Sequence, residues 1–126
     1  MNFKVLVIDD NEDILFMLKA MLQLKGYKVF VKATAKNIES YIEELAPDVI
    51  VMDMLLSGMD GSEVCKQLKE NNTISSIPVV MISALPTAKN ICLDAGAAYF
   101  VGKPFEMRDM FDTISEALER NELSSV

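Results

Sequence analysis

Short apolar runs that each lead to a polar side chain are the feature that most constrains this chain. The clearest run covers residues 49–52, which lead directly into Asp53. A run of this length, rich in Val and Ile and flanked by turn-forming residues, predicts a fully buried strand. Such strands belong to parallel sheets that helices cover on both faces. The pattern recurs at residues 5–8 before Asp9 and Asp10, at 79–82 before Ser83, and at 99–101 before Lys103. Because ligands bind beyond the carboxyl ends of parallel strands, these polar residues are predicted to gather along one edge of the sheet.

Helical patterns separate the apolar runs, and this alternation predicts the fold class. The spacing predicts strands over residues 4–8, 27–31, 49–53, 79–82 and 99–101, and helices over 12–25, 35–45, 62–70, 88–95 and 106–121. Five alternations with short connections are typical of a doubly wound α/β domain, (βα)5, with one five-stranded parallel sheet. One domain over residues 1–121 and a short polar tail over residues 122–126 are therefore predicted.

Charge and composition exclude several kinds of function. Nineteen acidic and twelve basic residues give a net charge of −7, which opposes binding to nucleic-acid phosphates. The chain has no histidine, and therefore lacks the commonest general base and transition-metal ligand. No apolar run is long enough to span a membrane, and the N-terminus has no signal-peptide pattern. A cytoplasmic protein with no nucleic-acid or membrane partner is predicted.

Three carboxylates at one edge of the sheet would repel one another without a compensating positive charge. A divalent cation that prefers oxygen ligands, such as Mg²⁺, would relieve this repulsion. A carboxylate beside such an ion and a lysine can attack phosphorus and form an aspartyl phosphate. The ion, the Lys103 ammonium and the Ser83 hydroxyl would then each neutralise or bind one phosphoryl oxygen. The edge therefore predicts a phosphoryl-accepting site.

Each of these residues also has an ordinary structural interpretation. An aspartate such as Asp10 often caps the next helix, a serine such as Ser83 is a common turn residue, and Lys-Pro is a common loop dipeptide. The functional interpretation depends on finding five such residues at the ends of four strands.

Four short segments together match one known family. They are Asp9-Asp10, Asp53 with Gly58-Met59-Asp60-Gly61 behind it, Ser83-Ala84, and Lys103-Pro104-Phe105. On these segments the chain resembles a response-regulator receiver domain of two-component signalling, over nearly its whole length. The resemblance implies a flavodoxin-like sheet with strand order 2-1-3-4-5 and a cis peptide bond before Pro104.

The resemblance also implies a role for each residue. Asp53 would accept a phosphoryl group from a phosphohistidine on a histidine kinase or a histidine phosphotransfer protein. Lys103 would pair with Asp53 and then with the phosphoryl group. Ser83 would bond the phosphoryl group, and Phe100 would turn inward when Ser83 moves. The ligands of Mg²⁺, or of Mn²⁺ as the alternative ion, would be Asp10, Asp53, the main-chain carbonyl of Leu55 and, in an assisting role, Asp9.

The predicted protein is a free-standing receiver that acts as a phosphorylation switch or relay and is not an enzyme, although it assists its own phosphorylation and dephosphorylation. Its output would be contact with a downstream protein. On the first helix, seven residues form the predicted apolar stripe: Leu24, Met17, Met21, Ile14, Leu18, Leu22 and Leu15. Phe16 falls on the opposite, polar face. Phe16 is therefore the candidate residue for docking the phosphohistidine donor.

One residue and one segment depart from the family pattern. Ser57 stands where proline is usual, which predicts a more mobile loop. The segment over residues 83–96 is shorter than usual and contains Pro86, which predicts a truncated or shifted fourth helix. In addition, the apolar side chains of Leu55 and Leu85 are expected to hinder water and slow the loss of phosphate.

Three other functions remain open from the sequence. A metal-dependent α/β phosphatase usually needs a second aspartate two residues after the first, where this chain has Leu55. A flavodoxin-like cofactor carrier would have to place a phosphate against Asp9 and Asp10, which would repel it. A phosphate-independent interaction module would not need the complete set of edge residues.

Overall fold

The computed structural model describes residues 2–124, in which five parallel strands alternate with five helices. The elements in chain order are β1 (Lys4–Ile8), α1 (Glu12–Leu24), β2 (Lys28–Lys32), α2 (Ile38–Leu45), β3 (Val49–Asp53), α3 (Gly61–Glu70), β4 (Val79–Ser83), α4 (Ala88–Asp94), β5 (Tyr99–Gly102) and α5 (Met107–Ser124). Between β3 and α3, the two-residue strands Leu55–Leu56 and Met59–Asp60 form a small antiparallel hairpin.

The sheet has the strand order 2-1-3-4-5, with every neighbouring pair parallel. The predicted doubly wound α/β fold is therefore confirmed. The strands are in register at their carboxyl ends, where Ile8 pairs with Met52, Asp53 with Ile82, and Ser83 with Gly102. This register brings the residues that follow β1, β3, β4 and β5 to the same edge of the sheet.

Buried side chains form one apolar cluster on each face of the sheet. Both β3 and β4 are buried along their whole length, as expected for central strands of a parallel sheet. On α1, the buried residues are Leu15, Leu18 and Leu22. The expectation that Leu24 is buried is wrong, because its side chain is 82% exposed. The buried face of α1 is centred near Leu22, and Leu24 lies about 150° around the helix from that centre.

Most predicted boundaries lie within one residue of the structure, with two larger differences. Helix α2 begins at Ile38 rather than at residue 35, because residues 35–38 form a turn in which Asn37 has a positive φ of 56°. Helix α5 continues to Ser124, so three residues of the predicted tail are helical. The last two residues of that tail lie outside the described residues. Among residues 2–124, no helix combines the length and apolar character that crossing a membrane requires.

Candidate functional site

A lysine from one strand end bridges two carboxylates from two others. Lys103 directly follows β5, and its backbone N–H donates a 2.8 Å hydrogen bond to the carbonyl oxygen of Ser83 at the end of β4. Its ammonium donates to Asp53 Oδ2 at 2.5 Å and to Asp9 Oδ2 at 3.4 Å. The predicted convergence of these residues, which are distant in sequence, is therefore present. The Lys103–Pro104 peptide bond is cis, as the resemblance implied.

Asp9 is fully buried at the end of β1. The backbone N–H of Asn11 donates to its Oδ1 at 2.9 Å. Burial raises the pKa of Asp9, and the negative charge of Asp53 adds to this effect, although the Asn11 hydrogen bond and the Lys103 charge oppose it. Burial by itself would lower the pKa of Lys103, but the hydrogen bonds and charges of Asp53 and Asp9 outweigh it and raise the pKa. The lysine is therefore held in its charged form.

The chain after Asp53 folds back onto the strand end. Asp53 is 6% exposed, and the N–H of Leu55 donates to its Oδ1 at 2.9 Å. The N–H of Gly61 donates to the Met54 carbonyl at 2.6 Å. A Cβ atom on Gly61 would lie 2.3 Å from the carbonyl oxygen of Asp53 and 2.9 Å from Met54 Cα. This close approach requires glycine, and it places the start of α3 directly against the end of β3.

The third carboxylate, Asp10, is exposed, and the hydroxyl of Ser57 donates to its Oδ2 at 2.5 Å. One carboxylate oxygen from each of Asp9, Asp10 and Asp53 lies within 4.8 Å of the others. Ligand oxygens on opposite sides of one Mg²⁺ ion are about 4.2 Å apart, so this all-oxygen set needs only small side-chain adjustments to share an ion. The Lys103 ammonium contacts Asp9 and Asp53. The donor set therefore fits a hard divalent cation.

The other predicted site residues differ in how far they are buried. Ser83 is 2% exposed, and its hydroxyl accepts a 3.1 Å hydrogen bond from the N–H of Leu85. Phe100 is half-buried and packs against the apolar cluster on one face of the sheet. Leu55, in the hairpin, is 56% exposed. Phe16, on α1, is 79% exposed.

A cavity of about 420 Å³ opens beside Lys103. It is lined by Ile14, Met17, Ala84, Lys103, Pro104 and Phe105. The cavity therefore lies between α1 and the segment after β5, and its wall includes Lys103, which contacts Asp53. Phe16 is next to Met17 in sequence but does not line this cavity.

Two residues with direct contacts in the site have no predicted role there. Gly61 is part of a segment that matches the family, but its close approach to Asp53 depends on the path of the hairpin. Ser57 departs from the family's usual proline, and its contact with Asp10 also depends on the hairpin. A hydroxyl at that position was the available signal, but its partner could not be identified without the fold.

Comparison with known proteins agrees with this architecture. The family model described as response regulator receiver domain matches residues 5–115. The alkaline phosphatase synthesis transcriptional regulatory protein PhoP of Bacillus subtilis is 34% identical over 99% of this chain and 52% of its own length. The DNA-binding response regulator MtrA of Mycolicibacterium smegmatis is 31% identical over 97% of this chain and 53% of its own length. The chain thus spans about half the length of the curated relatives it matches.

A solved structure shares the fold at nearly full length. The chemotaxis response regulator CheY4 of Vibrio cholerae superposes with a TM-score of 0.86 and 26% identity, covering 94% of this chain and 100% of that one. The match to the family model covers far more than half of the sequence and includes residues from every strand of the sheet. The chain therefore belongs to the response regulator receiver domain family.

Proposed function

We propose that this receiver domain is a Mg²⁺-dependent phosphorylation switch with Asp53 as the phosphoryl acceptor. The observation that carries the proposal is the Lys103 ammonium, which bridges Asp53 and Asp9 beside the exposed Asp10. Asp53 combines low exposure with a fixed orientation, because separate donors hold its two oxygens. A nucleophile held in this way needs little further ordering to attack phosphorus.

The proposed metal ligands are Asp10, Asp53 and the main-chain carbonyl of Leu55, with Asp9 assisting. Mg²⁺ is the favoured ion and Mn²⁺ the alternative, because both prefer oxygen ligands. When bound, the ion would neutralise charge on the carboxylates and on an incoming phosphoryl oxygen. The three clustered carboxylate oxygens support this assignment.

The proposed phosphoryl donor is a phosphohistidine on a histidine kinase or a histidine phosphotransfer protein. An Asp53 oxygen forms the new bond to phosphorus while the phosphorus–nitrogen bond breaks, and the histidine nitrogen retains the bonding electron pair. Lys103 is already in contact with Asp53, so its ammonium can follow the negative charge onto the phosphoryl oxygens. No histidine from this chain is needed, and none is present.

Ser83 and Phe100 are the proposed switch residues. The Ser83 hydroxyl accepts a hydrogen bond from the Leu85 N–H, and its own hydrogen has no acceptor in the described part of the chain. That hydrogen is available to a phosphoryl oxygen, and a shift of Ser83 would carry the Leu85 loop with it. Phe100, half-buried on the neighbouring strand, would then pack further inward.

Contacts with other proteins are proposed both for receiving the phosphoryl group and for the output. The exposed Phe16 and the apolar cavity beside Lys103 support docking of a helical phosphoryl donor near Asp53. The proposed output is contact with a downstream protein. The relative MtrA is a DNA-binding response regulator about twice the length of the segment that matches this chain. For this chain, the absence of a nucleic-acid partner remains a prediction, supported by its net charge of −7.

The test is phosphorylation of the purified protein by a small phosphodonor with Mg²⁺, read by intact-protein mass spectrometry. Wild type is expected to gain the mass of one phosphoryl group, whereas Asp53→Asn and a sample with chelator are not. An unlabelled wild type would overturn the proposal. Continuous release of phosphate from a small phosphate ester would instead favour a phosphatase. We do not propose that function, because Leu55 occupies the position where such an enzyme has its second aspartate.

A further inference from the structure

One residue of the acidic group is held in a different way from the other two. Asp9 and Asp53 are buried, and each accepts a backbone N–H as well as the Lys103 ammonium. Asp10 is exposed, and within residues 2–124 the hydrogen-bond partner of its side chain is the Ser57 hydroxyl, 2.5 Å from Oδ2. An exposed carboxylate beside two others would otherwise turn towards solvent, because that rotation relieves repulsion and restores rotamer freedom.

The hairpin fixes the position of Ser57. Leu56 pairs with Met59, so Ser57 and Gly58 form a two-residue connection. Gly58 has a φ of 74°, whereas Ser57 is not among the residues with positive φ. This combination is typical of a type II turn, in which the first central position favours proline. Ser57 therefore occupies a site where proline would also fit, but the serine hydroxyl donates a hydrogen bond to Asp10 that a proline side chain cannot donate.

The hairpin is itself anchored to β3, the strand that ends at Asp53. Leu55, at its start, donates its N–H to Asp53 Oδ1. Asp60, at its end, pairs with Leu55 and caps α3 by accepting from the N–H of Ser62. A side chain on the turn is therefore presented to Asp10 from a fixed base, 47 residues away in sequence.

We propose that Ser57 is a positioning residue that holds Asp10 in place as a metal ligand. The inference rests on the proposed Mg²⁺ site. With its hydrogen bond on Oδ2, the hydroxyl leaves Oδ1 of Asp10 available to an ion. Side chains that orient metal ligands typically contribute tenfold to a hundredfold in metal affinity. Because Asp10 is exposed, we expect the lower end of this range, about tenfold.

The test is the dissociation constant of Mg²⁺, measured by isothermal titration calorimetry on the phosphate-free protein. Ser57→Ala removes the hydroxyl, Ser57→Pro removes it while suiting the turn, and Ser57→Thr retains it. We expect about tenfold weaker binding for the alanine and proline variants and affinity near wild type for the threonine variant. If turn rigidity were the determinant, the proline variant would bind at least as tightly as wild type, which would overturn the proposal.

A matched control is available in the same loop. The Ser62 hydroxyl donates to Asp60 Oδ1 at 2.6 Å, so Ser62→Ala removes a similar serine–aspartate hydrogen bond away from Asp10. We expect this variant to lose some stability in urea unfolding but to keep wild-type Mg²⁺ affinity. If wild type binds Mg²⁺ and Ser57→Ala binds it equally or more tightly, the proposed role of Ser57 is overturned and the proposed metal site is not. Failure of wild type to bind Mg²⁺ would overturn the proposed metal site and this inference together.

Discussion

Replacing Asp9 with asparagine should stabilise the metal-free protein at neutral pH. Asp9 is fully buried, and its pKa is raised above its ordinary value of 3.8 mainly by burial. The folded protein therefore binds more protons than the unfolded chain between pH 3.8 and the raised pKa. The stability that Asp9 contributes is complete below pH 3.8 and is lost as the pH rises through the raised pKa. Above that window, the charged carboxylate is a net cost to folding.

The distances in the site set the size of the effect. At an effective dielectric constant of about 20, Asp9 and Asp53 oxygens up to 4.8 Å apart repel by about 3.5 kcal/mol or more. Lys103, 3.4 Å from Asp9, attracts it by about 5 kcal/mol under the same assumption. The exposed Asp10 is better screened and adds a repulsion of about 1 kcal/mol. These terms nearly cancel, so desolvation of the buried charge decides the sign, and we expect a gain of about 1 kcal/mol.

Urea unfolding at pH 7.5 and pH 4, without Mg²⁺, measures this gain. Asp9→Asn should exceed wild type by about 1 kcal/mol at pH 7.5, or about 4 °C in melting temperature, and should lose that advantage near pH 4. Asp112→Asn, which removes the same charge at an exposed position on α5, should show neither effect.

Mg²⁺ at ten times its dissociation constant should stabilise wild type by about 1.4 kcal/mol and Asp9→Asn by less. An unchanged or lower stability of Asp9→Asn at pH 7.5 would refute the reasoning.

Three further substitutions test other parts of the site. Gly61→Ala should reduce stability by about 1–3 kcal/mol in urea unfolding, because its Cβ would overlap backbone atoms of Asp53 and Met54; an unchanged midpoint would contradict this contact. Leu85→Gln should speed the loss of phosphate from Asp53, followed by mass spectrometry after the donor is removed, because a polar side chain no longer hinders water; an unchanged decay rate would count against it. Phe16→Ala should slow transfer from a phosphorylated histidine protein but not from a small phosphodonor, and equal slowing with both would argue against a docking role.

The sheet and the acidic group could be predicted because both follow from patterns that are local in sequence. A buried apolar run predicts a strand wherever it occurs, and in a parallel sheet the polar residue that follows it must emerge at the common edge. Asp9, Asp53 and Ser83 each follow such a run directly, and Lys103 follows one after a single glycine. Their meeting required only that the strands be neighbours, and the register of β1, β3, β4 and β5 provides this.

Contacts made by the loops could not be predicted in the same way. The Ser57–Asp10 hydrogen bond depends on a turn between two short strands, and no periodic pattern marks strands of two residues. The apolar stripe of α1 is wider than the face that the sheet buries, because a helical wheel ranks residues by angle but does not show how much of the helix the sheet covers. Leu24 lies at the margin of the apolar stripe and is left exposed, whereas Leu22 is fully buried.

The charge balance of the site indicates that phosphorylation would draw a further hydrogen-bond donor towards the phosphoryl group. One ammonium and one divalent cation would together match the three carboxylates. An aspartyl phosphate replaces the Asp53 carboxylate with a group carrying roughly two negative charges, so the site would then be left short of about one positive charge. The Ser83 hydroxyl is buried at the end of the neighbouring strand, and its backbone is already tied to Lys103. The added charge would therefore favour movement of Ser83 towards the phosphoryl group, and the Leu85 loop, linked to it by a hydrogen bond, would transmit that movement to the surface.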